Sequence, residues 1–72
     1  MDPRACLLDA CDAIEDELPD TASRYLTNYA DWRARGGFEP ESVTHPKFAP
    51  NGMRGDELAD AIRDAIDEAD AR

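Results

Sequence analysis

Residues 2–37 read DPRACLLDACDAIEDELPDTASRYLTNYADWRARGG, and two apolar rows in this stretch decide the architecture. Leu7, Cys11, Ile14 and Leu18 recur three or four residues apart, the spacing of one helical face. Asp2 can cap this helix and Pro3 suits its first position, where the missing N–H has no partner to lose. Pro19 should end it, because its ring disfavours the α conformation at Leu18 and its nitrogen donates no hydrogen bond. Asp20 or Thr21 then caps a second helix carrying Ala22, Tyr25, Leu26, Tyr29 and Trp32, and Gly36-Gly37 supplies a left-handed stop. A third apolar row, Leu58, Ile62, Ala65, Ile66 and Ala69, marks the last helix.

The expected fold is therefore all-α: one small three-helix domain over residues 1–72, with helices near 3–18, 21–35 and 56–71. Between the second and third helices a long Pro/Gly-containing loop covers residues 36–54, where Pro40, Pro46 and Pro50 argue against a central strand or a long helix. Phe38, Val43, Phe48 and Met53 are available to pin that loop to the helices. A chain of 72 residues buries only about 60% of the surface it exposes when unfolded, so the loop is needed to complete the core.

Charge is the strongest compositional feature. Seventeen acids against eight bases give a net charge of −9, which argues against a basic nucleic-acid binder that reads phosphates. The acids gather at the two ends: residues 1–18 and 55–72 each carry a net −5, while the middle is near neutral and holds every aromatic residue. On a helical projection Asp9, Asp12 and Asp16 fall opposite the first apolar row, and Asp56, Asp60, Asp64 and Asp67 opposite the third.

Helix stability would have chosen other residues. Like charges three or four apart destabilise a helix by a few tenths of a kcal/mol per pair. Acids in the last turn also oppose the macrodipole, yet Glu15, Asp16 and Glu17 crowd the end of the first helix and Asp67, Glu68 and Asp70 that of the third. Aspartate outnumbers glutamate eleven to six although it is the poorer helix former. One reason for such placement is a partner with a basic surface, above all a nucleic-acid-binding protein whose groove these carboxylates would occupy in place of phosphates. That makes the chain a small acidic protein-binding module, and in its sharpest form a nucleic-acid mimic or viral (phage-type) inhibitor that does not bind nucleic acid itself.

The competing reading is a structural or assembly subunit, including a homodimer in which Ala61, Ala65 and Ala69 allow close helix approach. Its acidic surface would then suit a host with molar internal salt, in keeping with one lysine against seven arginines, or follow from base composition. A second candidate surface is aromatic: Tyr25, Trp32 and Arg35 lie toward one edge of the second helix, and these are residue types of binding hot spots. The alternative for the aromatics is that they fill the core. Arg33 projects within the apolar arc and needs either a carboxylate of a neighbouring helix or a partner.

Catalytic and cofactor signals are weak. His45 is the lone histidine, with no serine or cysteine at a triad spacing, so no enzyme activity is expected. Cys6 and Cys11 would lie about 140° and roughly 7.5 Å apart on a helix, too far to bridge or to share one metal, and read as buried thiols, or as one buried and one flanking. A metal site joining His45, Cys11 and a carboxylate has no supporting ligand spacing, so no cofactor is expected. Residues 50–56 form a turn into a helix rather than a phosphate loop, and the Arg54-Gly55-Asp56 tripeptide carries no assigned role. The longest apolar run is Ala5–Leu8 and no basic leader is present, so no membrane partner and a cytoplasmic location are expected.

Overall fold

A computed structural model describes residues 2–70 as three helices and one short hairpin. Helix α1 spans Pro3–Glu15, α2 Pro19–Ala34 and α3 Gly55–Asp70; strands β1 (Val43–His45) and β2 (Ala49–Met53) lie between α2 and α3. The molecule is mostly helical, as the apolar rows required. The hairpin corrects the all-α expectation.

The start of α1 is local chemistry. Asp2 Oδ1 accepts from the amides of Arg4 (3.0 Å) and Ala5 (3.2 Å), and Pro3 fills the first helical position. Its end comes three residues earlier than the apolar row suggested. Leu18 N–H bonds Ala13 C=O at 2.8 Å and Glu17 N–H bonds Ile14 C=O at 3.1 Å, which closes the helix with Glu17 in the left-handed region at φ 61. Leu18 consequently leaves the apolar stripe and is 50% exposed.

Pro19 does not separate the helices; it opens α2, with Leu18 before it and no side-chain cap from Asp20 or Thr21. The fixed φ of proline suits a first helical turn, so the α1–α2 connection shrinks to three residues. Helix α2 ends by the same pair of reverse bonds, Gly37 N–H to Trp32 C=O (2.9 Å) and Gly36 N–H to Arg33 C=O (3.0 Å). Here Gly36 takes the left-handed position at φ +91.

The strands pair antiparallel, Val43 opposite Met53 and His45 opposite Ala49, with an irregularity that absorbs extra residues on β2. Pro50 falls in that irregular stretch. With only two strands, both are edges, so the proline argument against a central strand does not apply. Strand β1 packs on α1 and β2 on α3. Val43 and Ala49 are thereby buried beside Leu7, Cys11, Leu26, Leu58 and Ile62. Phe48 and Met53 pack partly on this core, whereas Phe38 is 65% exposed and meets the Trp32 ring of α2 outside it. Cys6 and Cys11 are buried and unbridged.

Candidate functional site

Four polar clusters surround the core, and they divide the acidic residues into committed and uncommitted groups. The first ties α2 to α3. Asp56 accepts the Tyr29 hydroxyl at 2.8 Å and a forked pair of bonds from Arg33, Nε at 3.1 Å and Nη2 at 3.0 Å. Arg33 Nη1 also donates to Gly37 C=O at 2.8 Å. Glu39 stands beneath the same helix start, accepting Asp56 N–H at 2.9 Å and the Arg54 guanidinium at 2.9 and 3.2 Å.

The Arg33 bonds, then the Tyr29 hydroxyl, hold the Asp56 carboxyl below the usual aspartate range. Burial, then the Asp56 contact, pushes the Tyr29 phenol up. Arg33 thus finds the carboxylate its position in the apolar arc demanded. Asp56 is correspondingly removed from the acidic array, because three bonds from its own chain already engage its two oxygens.

The second cluster is Asp12, Glu15 and His45, whose ligand atoms lie within 4.8 Å of one another. His45 is 4% exposed. Its Nδ1 accepts the amides of Lys47 (3.2 Å) and Phe48 (3.3 Å), which places the imidazole proton on Nε2, where it faces Asp12 Oδ1 at 3.2 Å. An Nε2 that donates has no lone pair for a metal. Coordination there would require moving the proton to Nδ1 and breaking both turn bonds.

Cys11 is not among these three residues. Burial, followed by the charges of Asp12 and Glu15, pushes its thiol up to about 12, so it is protonated at neutral pH. Asp12 therefore works as an acceptor that pins the hairpin to α1 and is only partly free for a partner.

The third cluster is the ridge on α3. Leu58, Ile62 and Ile66 face the core, and Asp60, Asp64 and Asp67 stand exposed on the opposite side, one turn apart. Among the described residues these three make no ion pair, while Arg33, Arg35 and Arg54 are engaged by Asp56, Asp31 and Glu39. Asp9 and Asp16 on the α1 side are likewise exposed and unpaired among the described residues. The seven candidate aspartates thus do not form one continuous array.

The fourth is a groove of about 600 Å³ between α1 and α2. Tyr25, Trp32 and Arg35 all line it, joined by Asp9 and by two carboxylates that sequence reasoning left out, Asp2 and Asp31. Trp32 is fixed from behind: its Nε1–H donates to Phe38 C=O at 3.1 Å, and the Phe38 ring meets it edge-on with centroids 5.7 Å apart. A side chain at Gly37 would run into the indole. Arg35 reaches across one turn to Asp31 at 3.0 Å, on the exposed rim. The i, i+3, i+7 spacing of Asn28, Asp31 and Arg35 was the available signal for this rim.

Among the described residues no helix is long and apolar enough to cross a membrane. No protein-family model, curated protein or solved structure matches this chain.

Proposed function

We propose that this chain is a non-enzymatic protein-binding module that docks on a positively charged surface of a partner protein. The observation that carries the reading is the α3 ridge: Asp60, Asp64 and Asp67 are mutually repelling, exposed and unpaired among the described residues. No base stands in the last turn of α3, and Arg63, the base beside Asp64, makes no ion pair among the described residues. Each i,i+3 or i,i+4 repulsion weakens the helix by a few tenths of a kcal/mol, and a basic partner reverses the sign of that interaction. Carboxylates about 5.4 Å apart along a helix present regularly spaced negative charge. A partner whose ordinary ligand is nucleic acid supplies the matching surface, and the chain then acts as a competitive mimic, the inhibitor role that a virus uses against a host machine.

The test is affinity capture from the native host with the wild-type chain and with the triple reversal Asp60→Lys, Asp64→Lys, Asp67→Lys. The expected result is a basic protein retained by the wild type, lost with the reversal and displaced by duplex nucleic acid. Retention unchanged by the reversal overturns the reading and leaves the ridge facing only solvent, as an assembly subunit would have it. Light scattering then decides whether the chain self-associates. A melt that needs about 1 M salt for folding, far beyond what screening of exposed charges requires, would assign the acids to a high-salt host instead.

A further inference from the structure

We infer that the α1/α2 groove is the anchor site for an arginine side chain of the basic partner. This rests on the docking reading above and adds where the partner is gripped and by which residue type. The groove combines an aromatic lining, which suits a guanidinium better than an ammonium, with a negative rim that attracts a cation. Its lining includes Tyr25 and Trp32, both only half-buried, and a planar, weakly hydrated cation stacks on aromatic rings. Its rim carries Asp2, Asp9 and Asp31 against the single cation Arg35, so the local charge is −2 and complementary to the occupant.

The site is preorganised. Trp32 is held by its bond to Phe38 C=O, by the Phe38 ring and by the bare Cα of Gly37, so little side-chain freedom remains to be lost on binding. Among the described residues Asp2 uses Oδ1 to cap α1 and makes no bond through Oδ2, and Asp9 makes no side-chain bond. Arg35 already shows the rim accepting a guanidinium, at 3.0 Å from Asp31. With side chains 77% and 57% exposed, that pair is weak enough to yield to an incoming arginine. Beside the groove, Cys6 Sγ donates to the Tyr25 backbone carbonyl at 3.1 Å and ties α1 to α2.

Trp32 is the chain's one tryptophan and reports directly on the groove. The experiment titrates the full chain with three synthetic peptides identical but for one central residue, arginine, lysine or citrulline, following Trp32 emission and binding heat. The expected result is a shift in Trp32 emission with the arginine peptide, affinity about tenfold above the lysine peptide, and no saturable binding of the citrulline peptide. Asp9→Asn with Tyr25→Leu should reduce arginine-peptide affinity by about tenfold while the melt confirms folding, since the Asp9 side chain is exposed and leucine keeps the apolar wall.

Equal affinity for arginine and lysine, or binding that leaves Trp32 emission unchanged, overturns the anchor site. The α3 reversal distinguishes the two readings. If peptide binding disappears with Asp60→Lys, Asp64→Lys, Asp67→Lys but ignores the groove variant, the groove fails while docking on a basic surface stands. If the groove variant alone abolishes binding, the anchor holds and the ridge does not contribute.

Discussion

Tyr29→Phe is the cleanest probe of what joins α2 to α3. The change removes one oxygen and leaves a phenyl ring in the same buried position, with no cavity and no lost apolar contact. What disappears is the 2.8 Å bond from the Tyr29 hydroxyl to Asp56 Oδ1. Hydrogen bonds to a charged group contribute about 1.5–3 kcal/mol. Here the lower end applies, because the Asp56 side chain is 49% exposed and keeps both bonds from Arg33. A loss of about 1.5 kcal/mol should lower Tm by about 6–12 °C in a domain of this size, measured by far-UV circular dichroism.

The pH dependence of that loss has a definite sign. Asp56 titrates below its unfolded value in the native state, so its contribution is complete above about pH 5 and fades as pH falls through the lowered native value. In Tyr29→Phe the carboxyl is held down less, so the gap between the two proteins must be widest near neutrality and close in acid. A Tm unchanged by the substitution, or a deficit that persists undiminished in acid, would refute the account of the Tyr29–Asp56 bond.

Glu17→Gly should raise stability by about 0.5–1 kcal/mol in a urea melt, because glycine adopts the left-handed conformation without a Cβ penalty and removes an acid from the negative end of α1. Gly55→Ala should act the other way, by about 1–3 kcal/mol, since its Cβ would lie 2.5 Å from the Tyr29 hydroxyl and 2.7 Å from Pro40 Cδ. Added zinc should leave the melt unchanged, and a stabilisation lost in Asp12→Asn would show that the His45 proton moves to Nδ1 after all. Cys11 should resist a thiol reagent at about pH 8 until the chain unfolds; rapid labelling of the native protein would contradict its buried, protonated state.

The groove was half visible before the structure. Tyr25, Trp32 and Arg35 share one edge of α2 by simple helical spacing, so their proximity follows from the order of residues. Asp2 and Asp9 reach the same groove only because the three-residue connection folds α1 back along α2, which no periodicity reveals. The hairpin escaped for a related reason. Val43–His45 is three residues long, too short for an alternating pattern to register, and it exists because α1 and α3 leave an apolar face for Val43 and Ala49 to cover.

What residue order alone determines is therefore whatever acts over one or two turns: three apolar rows, the Asp2-Pro3 start, the Gly36-Gly37 stop and the excess of negative charge. Periodicity and capping involve neighbours in the chain, so they can be read from it. Tertiary structure decided which carboxylates remain free. Asp56 and Asp60 look equivalent on a helical wheel, yet packing brings Tyr29 and Arg33 from α2 within hydrogen-bonding reach of Asp56 and leaves Asp60 facing outward. A charge commits to its own chain only when a distant donor arrives at about 3 Å, and that distance is set by how the helices pack.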